Sequence, residues 1–235
     1  IITAHKITPH LTDIRPHSGR FLTLTLNTAE APLHLIATYA PHNMHEQPVR
    51  DQYWHDLQAH LQAQPPSTPT VLLGDLNAQL HDDAQLHPGV VGPHFVAPRV
   101  TQIDPPNTGP NNSTALLTTC KDLSYCFPQT GMAKTPAQRM TRKRPSGEKV
   151  QLDHILAPQA WKGMVNDITA NSAIALNSNH YLVTAVLNVK RAKAKKHTAT
   201  PQWPSATWPR HNGHTSATLP QQPRTKSPTR SHDMY

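Results

Sequence analysis

The chain has 235 residues, 36% of them hydrophobic, with 24 prolines, 17 histidines and a formal charge of +8. That length suits one domain with an extension, or two small ones, and the apolar fraction is low for a chain folded throughout. No apolar run approaches the roughly 20 residues of a membrane span, no basic-then-apolar leader opens the chain, and Cys120 and Cys126 alone supply neither a disulfide framework nor a zinc quartet, so both are read as reduced thiols.

The charge is unevenly placed. From Lys190 to the end nine Lys or Arg face one acid, Asp233, while thirteen basic and thirteen acidic residues cancel before it. The body is therefore neutral, and its charge is no argument for nucleic-acid binding. Residues 191–235 are rich in Lys, Arg, Pro, Thr and Ser without apolar periodicity, and are expected to be disordered. Two uses fit such a tail: a solvated linker, or an arm that binds a polyanion, DNA or RNA, by counterion release. Trp203 and Trp208 would then be available to stack on single-stranded bases.

In chain order, residues 2–7 and 20–27 read as strands. In the second, Phe21, Thr23 and Thr25 alternate with Leu22, Leu24 and Leu26, the period of a sheet with one buried face. A turn over Asn27–Glu30 and Pro32 leads to a third strand, Leu33–Ala40, which suggests an antiparallel hairpin. Pro41 stops that strand after Tyr39. Gln47–Gln64 has the four-residue steps of a helix (Val49, Tyr53, Leu57, Leu61, with Trp54 flanking) and ends at Pro65-Pro66. Val71-Leu72-Leu73 is a buried strand, broken by Gly74 and followed by Asp75-Leu76-Asn77. If strand geometry persists, Asp75 and Asn77 project to one side. The same residues also suit an ordinary turn.

Residues 81–111 read as a long surface loop. Ser113 or Thr114 would cap a helix over Ala115–Leu123 with Leu116, Leu117, Cys120 and Leu123 on its face. Arg139, Arg142, Lys143, Arg144 and Lys149 form a basic cluster with a Ser146-Gly147 turn, either a solvated loop or a phosphate-facing one. Val150–Leu156 alternates as a strand in which Asp153, on the face of Ile155, points inward; a buried carboxylate needs a partner. His180 stands at the entrance to a last strand, Leu182–Val189, where a base could reach a cleft.

Four motifs thus stand in order: Tyr39-Ala40-Pro41-His42-Asn43, Gly74-Asp75-Leu76-Asn77, Gln151-Leu152-Asp153-His154-Ile155-Leu156 and Ser178-Asn179-His180-Tyr181-Leu182-Val183. Together they resemble the endonuclease/exonuclease/phosphatase family, and within it the apurinic-type endonuclease domain of non-LTR retrotransposons, over residues 1–190. The resemblance implies an α/β (α+β) four-layer sandwich, two mainly antiparallel sheets flanked by helices, and Mg²⁺-dependent hydrolysis of a phosphodiester in DNA, with Mn²⁺ as an alternative cation. By residue it implies that Tyr39 hydrogen-bonds the scissile phosphate and Asp75 orients or deprotonates the attacking water. Asn77 holds the phosphate, Asp153 orients His180, and His180 stabilises the phosphorane or acts as a base beside it. Asn43, Thr141, Arg142 and Arg144 are the expected substrate contacts, and Asp75, Asn77 and Asn179 the expected metal ligands. A nuclear location follows from the same resemblance.

Two departures set the alternatives. The family's last motif is Ser-Asp-His, and Asn179 stands at its middle position, keeping an oxygen ligand but losing the charge. The family's upstream Asn and metal-binding Glu have no counterpart before Tyr39, so the domain is expected to lack its N-terminal strands and to expose a sheet edge. The readings are a DNA-nicking domain, a degenerate remnant without turnover, a non-catalytic nucleic-acid-binding module, and the same fold acting on another phosphate ester.

Overall fold

The computed structural model describes residues 6–81, 87–95, 111–174 and 177–190. The strand expected over 2–7 falls mostly outside them; Lys6–Ile7 form a turn followed by a 3₁₀ turn, Thr8–His10. The tail over 191–235 and most of the loop over 81–111 also lie outside the described residues.

The chain then runs through β1 (Leu11–Pro16), β2 (Phe21–Leu26), β3 (Leu33–Tyr39), α1 (Gln47–Gln62), β4 (Thr70–Asp75), α2 (Asn112–Asp122) and β5 (Tyr125–Cys126). A short hairpin, β6 (Arg142–Lys143) and β7 (Lys149–Val150), precedes β8 (Asp153–Pro158), β9 (Val165–Asn171) and β10 (Leu182–Leu187). Six strands make one mixed sheet in the order β1-β2-β3-β4-β8-β5, and β9 pairs with β10 in a second. The β2–β3 hairpin is antiparallel as expected, whereas β3 and β4, joined through α1, are parallel.

Each face of the large sheet is covered by a different layer. Ile36 and Leu72 face α1 and α2, with Tyr53, Trp54, Leu57, Leu61, Leu116 and Leu117. Leu33, Val71, Ile155 and Ala157 face the other way, onto Val165 and Ile168 of β9. The 3₁₀ turns Pro128–Gly131, Pro136–Gln138 and Gln159–Met164 pack against β9. Helices, large sheet and small sheet are thus stacked in the order the sandwich requires.

Several local expectations change. In β2 both faces are used: Phe21 stacks on Tyr53 and the Thr23 hydroxyl meets His60, both of α1, while Leu24 is buried and Leu26 packs on the cluster of Val165 and Ile168 on the other side. In α1, Trp54 is core and Val49 is 43% exposed, so the buried stripe lies one residue round from the four-step pattern. The cap of α2 is Asn111, whose side chain accepts from the Thr114 amide, rather than Ser113 or Thr114; Ser113 is buried and gives its hydroxyl to the Gln79 carbonyl. The strand expected over Val150–Leu156 is two strands. Val150 pairs with β6, and the chain then changes partner so that β8 pairs with β4. β10 has β9 on one side, and among the described residues no strand on the other; Val186 is exposed there.

Candidate active site

The site forms where the ends of three strands meet in one row. Parallel pairing sets Tyr39 of β3 against Asp75 of β4, and antiparallel pairing sets Asp75 against Asp153 of β8. Register partners point to the same face, here the face turned toward β9 and β10. Gly74 makes the approach possible. Its φ is +146°, and a Cβ on it would lie 1.9 Å from the Thr38 carbonyl oxygen.

The strand ends at Asp75, so alternation does not carry over to Asn77, which is left-handed (φ 45°). Asp75 Oδ1 accepts from the Asn77 amide at 2.9 Å, an Asx turn. The Asn77 side chain is buried and donates to the Ala40 carbonyl at 2.9 Å. Asn77 therefore ties the end of β4 to the end of β3, and does not project beside Asp75 as period two suggested.

His180 arrives from outside the large sheet. Lys143 N donates to the Asn179 carbonyl at 2.8 Å, Tyr181 N donates to the Thr141 carbonyl at 2.7 Å, and Arg142 bridges His180. The basic hairpin thus serves as a clamp for the histidine segment. His180 Nδ1 meets Asp153 Oδ2 at 3.0 Å, and Nε2 lies 3.9 Å from Asp75 Oδ2. One ligand atom from each of Asp75, Asp153 and His180 lies within 4.8 Å of the others. Burial, aided by the Asp153 charge, raises the Asp75 carboxyl above the usual carboxylate range, while the Asn77 amide, His180 and Arg142 pull against the rise.

The remaining predicted residues divide. Tyr39 is 54% exposed, with the Arg20 guanidinium 5.7 Å from its ring centroid. Thr141 does not line the site. It is 1% exposed, and its hydroxyl accepts from the amides of Leu152 at 3.0 Å and Asp153 at 3.1 Å, which holds Asp153 from behind. Arg144 pairs with Glu148 and reaches Gln79, so its charge is already matched. Asn43 accepts from the Asn112 amide through its side chain. Asn179 is exposed beside His180.

Asn112 carries no motif and escaped sequence reasoning. Fully buried, it donates to the carbonyls of Pro41 (2.7 Å) and Asn77 (3.2 Å) and accepts from Trp54 Nε1 (3.0 Å). One side chain thus fastens both loops that carry the first two motifs. Its only trace in the sequence is a polar run at the start of a helix, which reads as capping.

A cation fits this donor set. Mg²⁺ is held by one or two carboxylates and keeps most of its waters, and Asp75 and Asp153 offer two converging carboxylates. Mn²⁺ would also accept the imidazole. Asn77 is less suited, because its side chain is turned to the Ala40 carbonyl.

Residues 2–165 match the model of the Endonuclease/Exonuclease/phosphatase family. No curated protein sequence matches the chain significantly. Among solved structures, the catalytic domain of Xenopus laevis APE2 is similar at 19% identity and TM-score 0.51, over 76% of this chain and 58% of that one. The endonuclease domain of TRAS1, a telomere-specific non-LTR retrotransposon, is similar at 11% and 0.50, over 76% and 70%. A Neisseria 3′ phosphatase, NExo, bound to product DNA hairpin, is similar at 15% and 0.50, over 76% and 71%. At such identities the likeness is one of fold, and the chain spans little more than half of the Xenopus domain. The fold, the ordered motifs and a family match that covers most of the chain agree: this chain belongs to the endonuclease/exonuclease/phosphatase family.

Proposed function

We propose that the chain carries the site of a divalent-cation-dependent DNA endonuclease of the retrotransposon type, with Mg²⁺ as the working ion. The observation that carries the reading is the convergence of Asp75, Asp153 and His180 in one part-buried cluster beside Tyr39. A cation held by the two carboxylates would neutralise charge on the phosphoryl oxygens. The residues supply the rest. Asp153 accepts from His180 Nδ1–H, which fixes the ring and leaves Nε2 facing Asp75. Asp75 orients the attacking water and takes its proton as the water oxygen bonds to phosphorus and the opposite P–O ester bond breaks, the leaving oxygen taking a proton from solvent. Protonated at Nε2, His180 donates to the phosphoryl oxygen that gains charge. The Tyr39 hydroxyl, on the open side of the row, donates to the phosphate before and during the attack. Arg142, close enough to lower the Asp75 carboxyl, adds a fixed positive charge.

DNA as substrate is supported by the likeness to the endonuclease domain of TRAS1 and to NExo bound to a product DNA hairpin, and an endonuclease of the retrotransposon type would act in the nucleus. The basic tail would add sequence-independent affinity for DNA or RNA.

Nicking of supercoiled plasmid with and without Mg²⁺, beside an Asp75→Ala control, tests the reading. Mg²⁺-dependent nicking that the substitution abolishes is expected. A folded protein that leaves the plasmid intact would overturn it in favour of a nucleic-acid-binding module without turnover.

A further inference from the structure

A small, partly enclosed void lies beside Asp153. It is lined by Gln129, Gln138, Arg139, Thr141, Gln151 and Asp153 on one side and by apolar residues of β8, β9 and β10 on the other. Its volume is about 10 Å³, the size of one water centre and no more. Gln129 is 4% exposed, and neither end of its amide has a hydrogen-bond partner; Arg139 is half-buried and donates to the Met132 carbonyl, but its Nε is buried and unpartnered. A buried carboxamide left bare on both ends costs the fold free energy that native proteins rarely forgo. Polar groups of both kinds therefore border a space that fits one water and is lined in part by Asp153, the residue that orients His180.

We propose that the void holds one ordered water, and that Gln129 and Arg139 act through it as positioning residues for the Asp153–His180 pair. The water accepts from Arg139 Nε–H and has two protons, one for Gln129 Oε1 and one for the Asp153 carboxylate, so that it satisfies the oxygen end of the Gln129 amide and the Arg139 Nε–H. Asp153 already receives His180 Nδ1–H on Oδ2 and is fixed at its backbone by Thr141. The water adds a third anchor, which stops the carboxylate from turning away from the imidazole. Gln129 is well placed to hold it. The 3₁₀ turn Pro128–Gly131 is tied down by Thr130, whose amide and hydroxyl both donate to the Phe127 carbonyl, and by the His94 amide, which donates to the Thr130 carbonyl. Any effect on catalysis rests on the function proposed above; the water and the carboxylate contact do not.

A crystal structure of the full chain at a resolution that shows ordered water makes the first test. Density for one water within hydrogen-bond distance of Gln129 and Arg139 Nε is expected, and a dry void overturns the proposal. The second test is Gln129→Met, of equal length but unable to hold the water. Its structure should show the 3.0 Å contact of Asp153 with His180 lengthened, and an unchanged contact overturns the positioning role whatever the activity. In the nicking assay, kcat should fall about tenfold with KM for DNA unchanged, the loss typical of removing an outer support of a ligand. Gln129→Glu, which keeps an acceptor for the water, should recover most of it. A wild-type chain that does not nick would dispose of the functional reading alone, because the water and the contact are read without turnover.

Discussion

Replacing Thr141 by valine separates a support from a substrate contact. The side chain is 1% exposed, and its hydroxyl is the acceptor for two consecutive amides, Leu152 at 3.0 Å and Asp153 at 3.1 Å. Valine fills the same space, so no cavity opens, but both amides are left buried without an acceptor. Each such loss costs about 1–3 kcal/mol, and two sharing one acceptor should cost about 2–4 kcal/mol together. For a domain of this size that is a fall in Tm of about 5–15 °C. Thermal unfolding followed by circular dichroism reads it directly. Thr141→Ser keeps the oxygen, loses one methyl, and should cost only about 1 kcal/mol. Nicking by Thr141→Val, assayed well below its Tm, should fall in kcat because Asp153 has lost its backbone anchor. A valine variant as stable as the wild type but weaker in DNA binding would refute this and return Thr141 to the substrate surface.

Three further substitutions probe the same frame. Asp75→Asn should abolish nicking yet raise Tm at neutral pH, because burial disfavours the charged carboxylate. Burial holds the Asp75 carboxyl above its unfolded value, so the cost of ionising it is absent below the unfolded pKa, grows as pH rises through the folded one, and is complete above it. The stabilisation by asparagine should therefore shrink as melts are run toward pH 4, and a gain that is constant with pH would count against it. Gly74→Ala puts a Cβ 1.9 Å from the Thr38 carbonyl oxygen and should cost at least about 3 kcal/mol; denaturant titration with an unmoved midpoint would contradict the close β3–β4 approach. Asn112→Ala removes three buried hydrogen bonds and should cost about 3–5 kcal/mol, with faster amide hydrogen exchange in residues 76–80; unchanged exchange there would mean that Asn112 does not fasten that loop.

The sequence made some elements legible and hid others for physical reasons. The β2–β3 hairpin, α1 and β4 are legible as elements: a turn between two apolar strands for the hairpin, a helical apolar period from Tyr53 to Leu61 for the helix, an unbroken apolar run for the strand buried on both faces. β1 and β9 break the period. In β1 the register slips between Leu11 and Asp13, and in β9 a slip against Val186 and Leu187 leaves Asn166 unpaired. An extra residue in a strand shifts the side chains beyond it to the opposite face, so Val165, Ile168 and Ala170 share a core without alternating in sequence.

The site was legible in its chemistry and not in its supports. A carboxylate after a buried strand, a second one inside an apolar strand and a histidine at a strand entrance each stand out, because charge among apolar residues needs a reason. The structure brings these three together. Asn77, Thr141, Asn112 and Gln129 are ordinary polar residues whose significance lies in what they touch across the fold, over separations from 11 residues for Thr141 and Leu152 to 71 for Pro41 and Asn112. A buried amide reads in sequence like a surface one, since nothing local reports its burial. Two residues assigned to substrate by motif, Thr141 and Arg144, have their polar groups engaged within the protein by Leu152 and Asp153 and by Glu148 and Gln79. The residues that hold such a site in shape are therefore to be sought among buried amides and hydroxyls with several backbone partners, and the motif alone identifies only the groups that they hold.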